Sequence, residues 1–286
     1  MSENKYKYVS SVQNEEVKDV VKLRKRQHRD EEHLLLIEGY RELLRAVENG
    51  CKVSRLYFCE ALFLGENERS LIRRCERVGC TVVACSEKVF RKMAYRDRPD
   101  GLLALAPQVG CSLEALTLGD VPFVLIAVGI EKPGNLGTIL RSADAAGVDA
   151  VIVCDQCTDI NNPNVVRASI GTLFSVQVAE ASTPEVFGWL REHGITVLAA
   201  TPNGEEDYTQ TAMDIPLAIA VGSEMCGLEP RWMKGADRQV VIPMMGQADS
   251  LNVASAATIM LYEALRQRRN TSPKSSIANR YSTFFA

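Results

Sequence analysis

Residues 122–154, PFVLIAVGIEKPGNLGTILRSADAAGVDAVIVC, contain two short apolar runs separated by a glycine-containing loop and a helix-like segment. The runs at 122–129 and 149–154 are β-branched and nearly uninterrupted, which is typical of parallel strands covered on both faces. Between them, residues 135–146 have the composition and spacing of a helix. The stretch therefore predicts one strand–helix–strand unit of a parallel sheet.

Apolar runs of the same kind recur towards the end of the chain. They lie at 195–200, 217–222 and 238–243. Helices are predicted around them at 183–193 and 252–268, the last of which ends in basic residues that suit a helix C-terminus. We expect an α/β domain with a parallel sheet over 121–270.

The N-terminal part alternates strands and helices over a shorter distance. RLYFC at 55–59 and TVVACS at 81–86 read as strands with a helix between them, so residues 1–107 predict a basic segment followed by a small α/β domain. Residues 108–120 have turn residues and little periodicity, which predicts a linker. Residues 271–286 are polar until an aromatic ending and predict a loose tail or one that docks on a partner.

Composition limits the class of protein. With 286 residues and 46% apolar residues, the chain can bury a large core. No run of about 18 uncharged apolar residues occurs, and the N-terminus lacks a secretory signal, so we expect a cytoplasmic protein without a membrane span. The nine cysteines are scattered and odd in number, which favours reduced thiols. Cys154 and Cys157 form a CxxC pair without a second pair at zinc spacing, so we expect no metal site.

Charge is distributed unevenly along the chain. The net charge is −3, yet residues 1–110 carry 21 Lys and Arg against 17 Asp and Glu. Basic side chains are concentrated in a twelve-residue stretch of this part, at Lys18, Lys22, Arg24, Lys25, Arg26 and Arg29. Such a cluster either contacts the phosphates of a nucleic acid or forms a solvated helix face.

The loop after the first strand of the quoted stretch lies where open α/β sheets place their ligand loops. GNLG at 134–137 lacks the three-glycine dinucleotide fingerprint, and no GxxxxGK[ST] phosphate loop occurs in the chain. Both familiar nucleotide-binding patterns are therefore excluded at the residue level. The two glycines alone would indicate a tight strand-to-helix turn, with Arg141 extended into solvent one turn later.

Two further stretches also follow strands and are rich in residues that core packing does not explain. They are VGSEMCGLEP at 221–230 and IPMMGQADSLNVASA at 242–256. Ser250 and Asn252 stand at the start of the last predicted helix, where one of the two is expected to be a helix cap. A cap does not account for the whole string, so a site formed by three strand-end loops is indicated.

Taken together, NLGTILRSADAAG, VGSEMCGLEP and IPMMGQADSLNVASA closely resemble, in this order, the three signature motifs of the SpoU (TrmH-like) RNA methyltransferases. The resemblance covers roughly residues 120–268 and includes VRASIGTLFSVQV at 166–178. Residues 20–107 resemble more weakly the substrate-binding domain often found ahead of it, through LLLIEGYRELLRAV and DRPDGLLALA.

The resemblance implies a SPOUT-superfamily catalytic domain, which is an α/β sheet with a trefoil knot at its C-terminal end. It further implies a homodimer that transfers a methyl group from S-adenosylmethionine to a ribose 2′-hydroxyl of RNA. By motif position, the cofactor would lie against the backbone of Gly222, Ile242 and Leu251. Met244 and Leu228 either form walls of the same slot or are ordinary core residues.

The resemblance also assigns the reactive residues. Arg141 matches the essential arginine of the family, and Asn135, Glu224, Ser250 and Asn252 match other motif positions. Because the pKa of arginine exceeds about 12, we expect Arg141 to hold a phosphate or stabilise charge on the attacking oxygen and not to act as a base. Glu224 is expected to pair with it. Arg167 is expected either to contact an RNA phosphate or to form a surface ion pair.

By resemblance, the expected target is large-subunit ribosomal RNA, because the extra N-terminal domain is similar to that of ribosomal RNA modifiers. A transfer RNA is the nearest alternative. Two other functions are considered. One is methylation of a base by an enzyme of the same fold, and the other is an RNA-binding module that has lost catalysis. Loss of catalysis is disfavoured because the five motif residues occur together.

Overall fold

The computed structural model describes residues 5–155 and 158–271. The predicted tail beyond Thr271 and Cys157 of the CxxC pair lie outside the described residues. None of the helices in this part is long and apolar enough to cross a membrane.

The N-terminal part of the chain forms a five-stranded mixed sheet. Its strands are β1 (Lys7–Val9), β2 (Leu34–Glu38), β3 (Arg55–Phe58), β4 (Thr81–Cys85) and β5 (Leu102–Pro107). Its helices are α1 (Glu15–Lys22), α2 (Arg26–Glu32), α3 (Tyr40–Glu48), α4 (Glu68–Arg77) and α5 (Glu87–Met93). The strand order is β1-β4-β3-β5-β2, and β5 is antiparallel to both of its neighbours.

The C-terminal part forms a seven-stranded sheet in which all pairs are parallel. Its strands are β6 (Phe123–Val128), β7 (Ala150–Cys154), β8 (Gln177–Ala181), β9 (Thr196–Ala200), β10 (Glu206–Asp207), β11 (Leu217–Val221) and β12 (Arg238–Val241). Its helices are α6 (Pro133–Ala146), α7 (Pro163–Ala168), α8 (Thr183–Glu192), α9 (Pro230–Gly235) and α10 (Val253–Thr271). The order β10-β12-β9-β11-β6-β7-β8 confirms the predicted α/β class with a parallel sheet.

Helices cover both faces of this parallel sheet, which explains its uninterrupted apolar strands. Leu125 of β6 belongs to the buried cluster that includes Leu261 of α10 and the apolar side of α6. The next residue, Ile126, belongs to a second cluster with Trp189 of α8 and Trp232 of α9. Because successive side chains of a strand point to opposite faces, every position of the central strands β6, β7 and β11 is buried.

The two sheets are joined by apolar packing and by backbone contacts. Leu35 and Leu43 of the first part share one buried cluster with Leu173 of the second. Gly171 has a φ of +81°, and a Cβ there would lie 2.9 Å from the Cα of Glu42. The segment predicted as a linker also packs on the second sheet, since Cys111 forms a parallel bridge with Ala179.

The structure corrects one member of the predicted RNA-binding cluster. Arg29 is only 1% exposed. Its guanidinium donates to the main-chain oxygens of Leu23 (2.9 Å) and Arg24 (3.0 Å) and forms an ion pair with Asp159 of the other sheet. The prediction of an RNA contact at Arg29 is wrong, because its buried guanidinium binds Asp159 and so connects the two parts of the chain.

The remaining basic side chains of the cluster are exposed. Arg24 donates to the main-chain oxygens of Lys92 and Ala94, near the end of α5. Lys22 and Arg26 form surface ion pairs on their own helices, which leave most of each side chain in solvent and are of small energetic value. Lys22, Lys25 and Arg26 therefore stay available for a polyanion, and Arg24 is partly engaged.

We predict that Arg29→Ala lowers the free energy of unfolding by about 3–5 kcal/mol, because it leaves the carboxylate of Asp159 buried without its partner. Arg26→Ala, at an exposed pair on the same helix, is the matched control and should cost about 0–1 kcal/mol. Denaturant unfolding of both variants measures the difference. Equal stability of the two variants would contradict the structural role of Arg29.

Candidate active site

Three loops meet at the carboxyl-terminal edge of the parallel sheet, where parallel strands place their ligand sites. The loops follow β6, β11 and β12. The second motif and most of the third lie in the loops after β11 and β12, and the first motif lies in α6, directly after the loop that follows β6. Two of the loops enclose a cavity of about 410 Å³ together with residues 200–203 after β9. All five residues predicted to hold a cofactor line it: Gly222, Leu228, Ile242, Met244 and Leu251.

The loop after β11 is folded tightly enough to present its backbone to this cavity. Ser223 and Gly227 exchange main-chain hydrogen bonds of 3.1 and 3.0 Å, and the Ser223 hydroxyl accepts from the Cys226 N–H. A Cβ on Gly222 would lie 2.2 Å from the carbonyl carbon of Gly227. Only glycine fits at position 222, so this wall of the cavity is formed by main chain and not by side chains.

A polar network borders the cavity. The side-chain amide of Asn252 donates to Glu224 Oε1 (2.5 Å) and to Asn135 Oδ1 (3.2 Å). Its carbonyl oxygen accepts from the N–H of Ala254 (3.0 Å), in the first turn of α10. Asn252 is thus a helix cap that also connects all three motif loops. Ser250 lines the cavity nearby.

The structure corrects the expected partner of Glu224. Its carboxylate pairs with Lys132, which immediately precedes α6, and not with Arg141. Lys132 was not among the site residues predicted from the sequence. Its position in a strand-end loop, directly before Pro133, could have indicated a cation at the site. A smaller cavity of about 160 Å³ adjoins the first and is lined by Lys132, Asn135 and Glu224.

The pKa of the Glu224 carboxyl is lowered from its ordinary value of 4.5, first by the hydrogen bond from Lys132 and then by that from Asn135. The ionised form is therefore favoured, and its contacts are lost only as the pH falls through the lowered pKa. We predict that Lys132→Ala raises the pKa of Glu224 back towards 4.5. A carbon-13 NMR titration of the Glu224 carboxyl measures this shift.

A matched control for this titration is Lys18→Ala, which removes the surface pair with Glu15 on α1. It should leave the Glu224 titration unchanged. If Lys132→Ala also leaves it unchanged, Lys132 does not hold the carboxylate as described.

Arg141 lies on α6 with its side chain exposed. It has no hydrogen bond or ion pair with any residue of the described ranges, so its five N–H donors face solvent. The neighbouring Ser142 hydroxyl and the Thr258 hydroxyl are 2.7 Å apart, which ties α6 to α10. The helix is therefore fixed while the Arg141 guanidinium is free to bind an anion.

Arg167 does not lie at this site. It lines a separate cleft between α3 and α7, is exposed, and forms no ion pair within the described part of the chain. The alternative of a surface ion pair is thereby excluded for the described residues. Among these residues, no cluster of His, Cys, Asp or Glu has the arrangement of a metal site.

The fold and the site define the class of protein. A parallel sheet carries a cavity with main-chain and apolar walls, and a polar network borders it. The helix that contributes Asn135 to this network also carries the exposed Arg141. This is the arrangement of an α/β enzyme that places a cofactor beside a polyanionic substrate.

The chain belongs to the SpoU rRNA methylase family, whose model matches residues 122–262. The model of an MRM3-like substrate binding domain matches residues 14–104. Both matches confirm the resemblance seen in the motifs, including the weaker one in the N-terminal part.

Similar proteins span nearly the whole chain. The 23S rRNA (guanosine(2553)-2′-O)-methyltransferase RlmP of Bacillus subtilis is 29% identical, over 90% of this chain and 98% of that protein. The 23S rRNA (uridine(2479)-2′-O)-methyltransferase of Streptomyces viridochromogenes is 32% identical, over 82% and 83% respectively.

Solved structures agree with this assignment. A crystal structure of an RNA 2′-O ribose methyltransferase has a TM-score of 0.81 and 41% identity, covering 91% of this chain and 99% of that one. An AdoMet-bound rRNA methyltransferase from Sinorhizobium meliloti has a TM-score of 0.84 and 31% identity, covering 91% and 98%.

Proposed function

We propose that this protein is an S-adenosylmethionine-dependent methyltransferase that modifies a ribose 2′-hydroxyl in large-subunit ribosomal RNA. The observation that carries the proposal is that Asn252 is hydrogen-bonded to both Glu224 and Asn135, which connects the first motif to the two motifs that enclose the cavity. The named activities of the Bacillus and Streptomyces relatives support ribose methylation of 23S rRNA as the reaction.

The cavity has the size and chemistry that S-adenosylmethionine requires. About 410 Å³ lies within the range of small-molecule sites, and Leu228, Met244 and Leu251 supply apolar walls for an adenine ring. Gly222 and Ile242 place main-chain atoms at the rim of the cavity. The bound cofactor supplies an electrophilic methyl group on its sulfonium. The residues present therefore fit the group.

Arg141 holds the RNA and stabilises negative charge on the attacking 2′-oxygen. Its exposed guanidinium can bind a phosphate through two parallel hydrogen bonds. Because arginine stays protonated, the proton of the 2′-hydroxyl leaves to water and not to Arg141. Asn135, Glu224 and Asn252 orient the ribose through their shared network, and Ser250 contributes a hydroxyl at the cavity wall.

We further propose that the loops after β11 and β12 form the trefoil knot of the SPOUT superfamily. Support comes from the path of the chain after β12, which returns across the cavity to place α10 against α6 and β11. Exposed apolar side chains beside the cavity, Met225 and Met245, support a homodimer in which a second copy covers this edge. The described cysteines other than Cys154 are free thiols, which supports a cytoplasmic location.

The two sheets correspond, in this proposal, to a substrate-binding domain at 1–107 and a methyltransferase domain at 121–270, joined by 108–120. Exposed Lys22, Lys25 and Arg26 on the first domain provide the phosphate contacts of its RNA surface, with Arg24 contributing in part. Such contacts raise affinity for any RNA of suitable shape.

Transfer of labelled methyl from S-adenosylmethionine to 23S rRNA tests the function. The RNA comes from a strain that lacks the protein, and tRNA from the same strain is the comparison. Digestion to nucleosides should yield one labelled 2′-O-methylnucleoside, and the adjacent phosphodiester should resist alkali because its 2′-hydroxyl is blocked. Label on a base, or on tRNA only, would overturn the proposal.

A further inference from the structure

The charged side chains in the wall of the cofactor cavity are acidic. Among the described residues, those that line this cavity include two carboxylates, Glu224 and Asp249, and no Lys, Arg or His. The hydroxyl and amide side chains of the wall are uncharged and belong to Thr201, Asn203, Ser223 and Ser250. The wall therefore offers negative charge to a ligand and no positive charge.

The charge of Glu224 is compensated. Its carboxylate forms an ion pair with Lys132 and accepts a hydrogen bond from the amide of Asn252. Lys132 lines the smaller neighbouring cavity and not the cofactor cavity itself. Because the two opposite charges lie in contact, a ligand in the cofactor cavity experiences little net charge from this pair.

The charge of Asp249 is not compensated. Asp249 is exposed, and it forms no hydrogen bond or ion pair with another residue of the ranges 5–155 and 158–271. The next two residues, Ser250 and Leu251, also line the cavity, so this segment of the chain runs along the wall. The wall therefore presents one unpaired negative charge, on a side chain that solvent reaches.

The proposed cofactor and its product differ by one unit of charge. S-Adenosylmethionine carries a positive sulfonium, a positive ammonium and a negative carboxylate, so its net charge is positive. Removal of the methyl group leaves a neutral thioether, so S-adenosylhomocysteine has no net charge. The ammonium and the carboxylate are common to both molecules, and their effects cancel in the ratio of the two affinities. An unpaired carboxylate in the wall changes this ratio through the sulfonium charge alone.

The cavity is small enough for this charge to act on a bound ligand without direct contact. Its volume is about 410 Å³, so every part of a ligand inside it lies close to the wall. Opposite unit charges roughly 8 Å apart, at an effective dielectric constant between about 20 and 80, change a binding constant by about 2- to 30-fold. An effect of this size is measurable by calorimetry.

We propose that Asp249 is a specificity-determining residue that makes the cavity favour S-adenosylmethionine over S-adenosylhomocysteine. Its unpaired carboxylate attracts the sulfonium of the methyl donor and has no such charge to attract in the product. Binding of the donor is thereby strengthened relative to binding of the product, which lowers inhibition by the product. The inference rests on the proposed function, because it presumes that S-adenosylmethionine occupies this cavity.

Calorimetric titration of the full-length protein with each of the two ligands tests the proposal. Asp249→Asn removes the charge and keeps the size of the side chain, so it should lower the preference for S-adenosylmethionine over S-adenosylhomocysteine by about tenfold. Glu192→Gln removes an exposed charge of α8 outside the cavity and is the matched control. It should leave the preference unchanged. An equal loss of affinity for both ligands in Asp249→Asn, or no loss for either, would overturn the proposal.

Two further measurements do not depend on the folding of the asparagine variant. Asp249→Glu retains the charge and should retain the preference. In the wild-type protein, raising the ionic strength from about 0.01 M to about 1 M shortens the screening length from about 30 Å to about 3 Å. The preference for S-adenosylmethionine should fall over this range, because an exposed charge is screened. A preference that does not change with ionic strength would contradict an electrostatic origin.

The methylation assay separates this inference from the proposed function. In Asp249→Asn, the inhibition constant of S-adenosylhomocysteine divided by the KM for S-adenosylmethionine should fall by about tenfold. Methylation of 23S rRNA by the wild-type protein, with this quotient unchanged in the variant, would refute the role of Asp249 alone. A wild-type protein that binds neither ligand would refute both the function and the inference.

Discussion

Replacing Arg141 by alanine is expected to lower kcat/KM for methyl transfer to RNA by about 100- to 1,000-fold. The reason is that its exposed guanidinium, on the same helix as Asn135 of the network, has no ion pair within the described residues. No other described side chain of the network carries a free positive charge, since Lys132 is paired with Glu224. Cofactor binding should be unchanged, because Arg141 does not line the cofactor cavity. Steady-state kinetics with 23S rRNA and calorimetry with S-adenosylmethionine measure the two effects.

A lysine at position 141 distinguishes charge from geometry. It retains one positive charge but cannot form the two parallel hydrogen bonds of a guanidinium, so Arg141→Lys should remain strongly impaired. Arg191→Ala, at an exposed arginine of α8, is the control and should retain full activity. Near-normal turnover of Arg141→Lys would show that the two-bond contact is not required.

Replacing Gly222 by alanine is expected to weaken S-adenosylmethionine binding by about 100-fold. The new Cβ would lie 2.2 Å from the carbonyl carbon of Gly227 and 2.4 Å from the nitrogen of Leu228. Both are main-chain atoms, so the loop itself has to move, and overpacking of this kind costs about 1–3 kcal/mol. Since this loop is a wall of the cavity, the displacement reaches the cofactor directly. Calorimetric titration with the cofactor measures the loss.

Gly188→Ala is the matched control. A Cβ at Gly188 in α8 meets no atom within 4 Å, and alanine in a helix interior is favoured over glycine by about 1 kcal/mol. This variant should bind the cofactor normally and be slightly more stable. Circular dichroism establishes that the Gly222 variant is folded. A folded Gly222→Ala protein with normal cofactor affinity would show that the loop does not form the binding wall.

Much of the fold was predictable from local pattern. The uninterrupted strands at 122–129 and 217–222 predicted a sheet covered on both faces, and the small, apolar and finally basic pattern of 252–268 predicted α10. Strand β8, at the edge of the sheet, was missed because its sequence QVAEA mixes polar and apolar residues. Edge strands need less burial on each face, so periodicity identifies them poorly.

Most residues of the site could be predicted from the sequence, but their ion-pair partners could not. The second and third motifs identified residues that line the cavity, since each follows a strand that ends at the same edge. Glu224 was assigned the wrong cation because the choice between Lys132 and Arg141 depends on how α6 begins, which three-dimensional packing decides. Arg29 was assigned to RNA because charge clustering does not reveal that one guanidinium of the cluster is buried against Asp159, 130 residues away.

Mapping of ribose methylation tests the central claim most directly. Ribosomal RNA is compared between the parent strain, a strain that lacks the protein, and that strain carrying either the wild-type gene or Arg141→Ala. We predict that one 2′-O-methyl group of 23S rRNA disappears with the protein, returns with the wild-type gene and does not return with the variant. A ribose-methylation map that is identical in all four strains, with the protein expressed in the parent, would contradict the account.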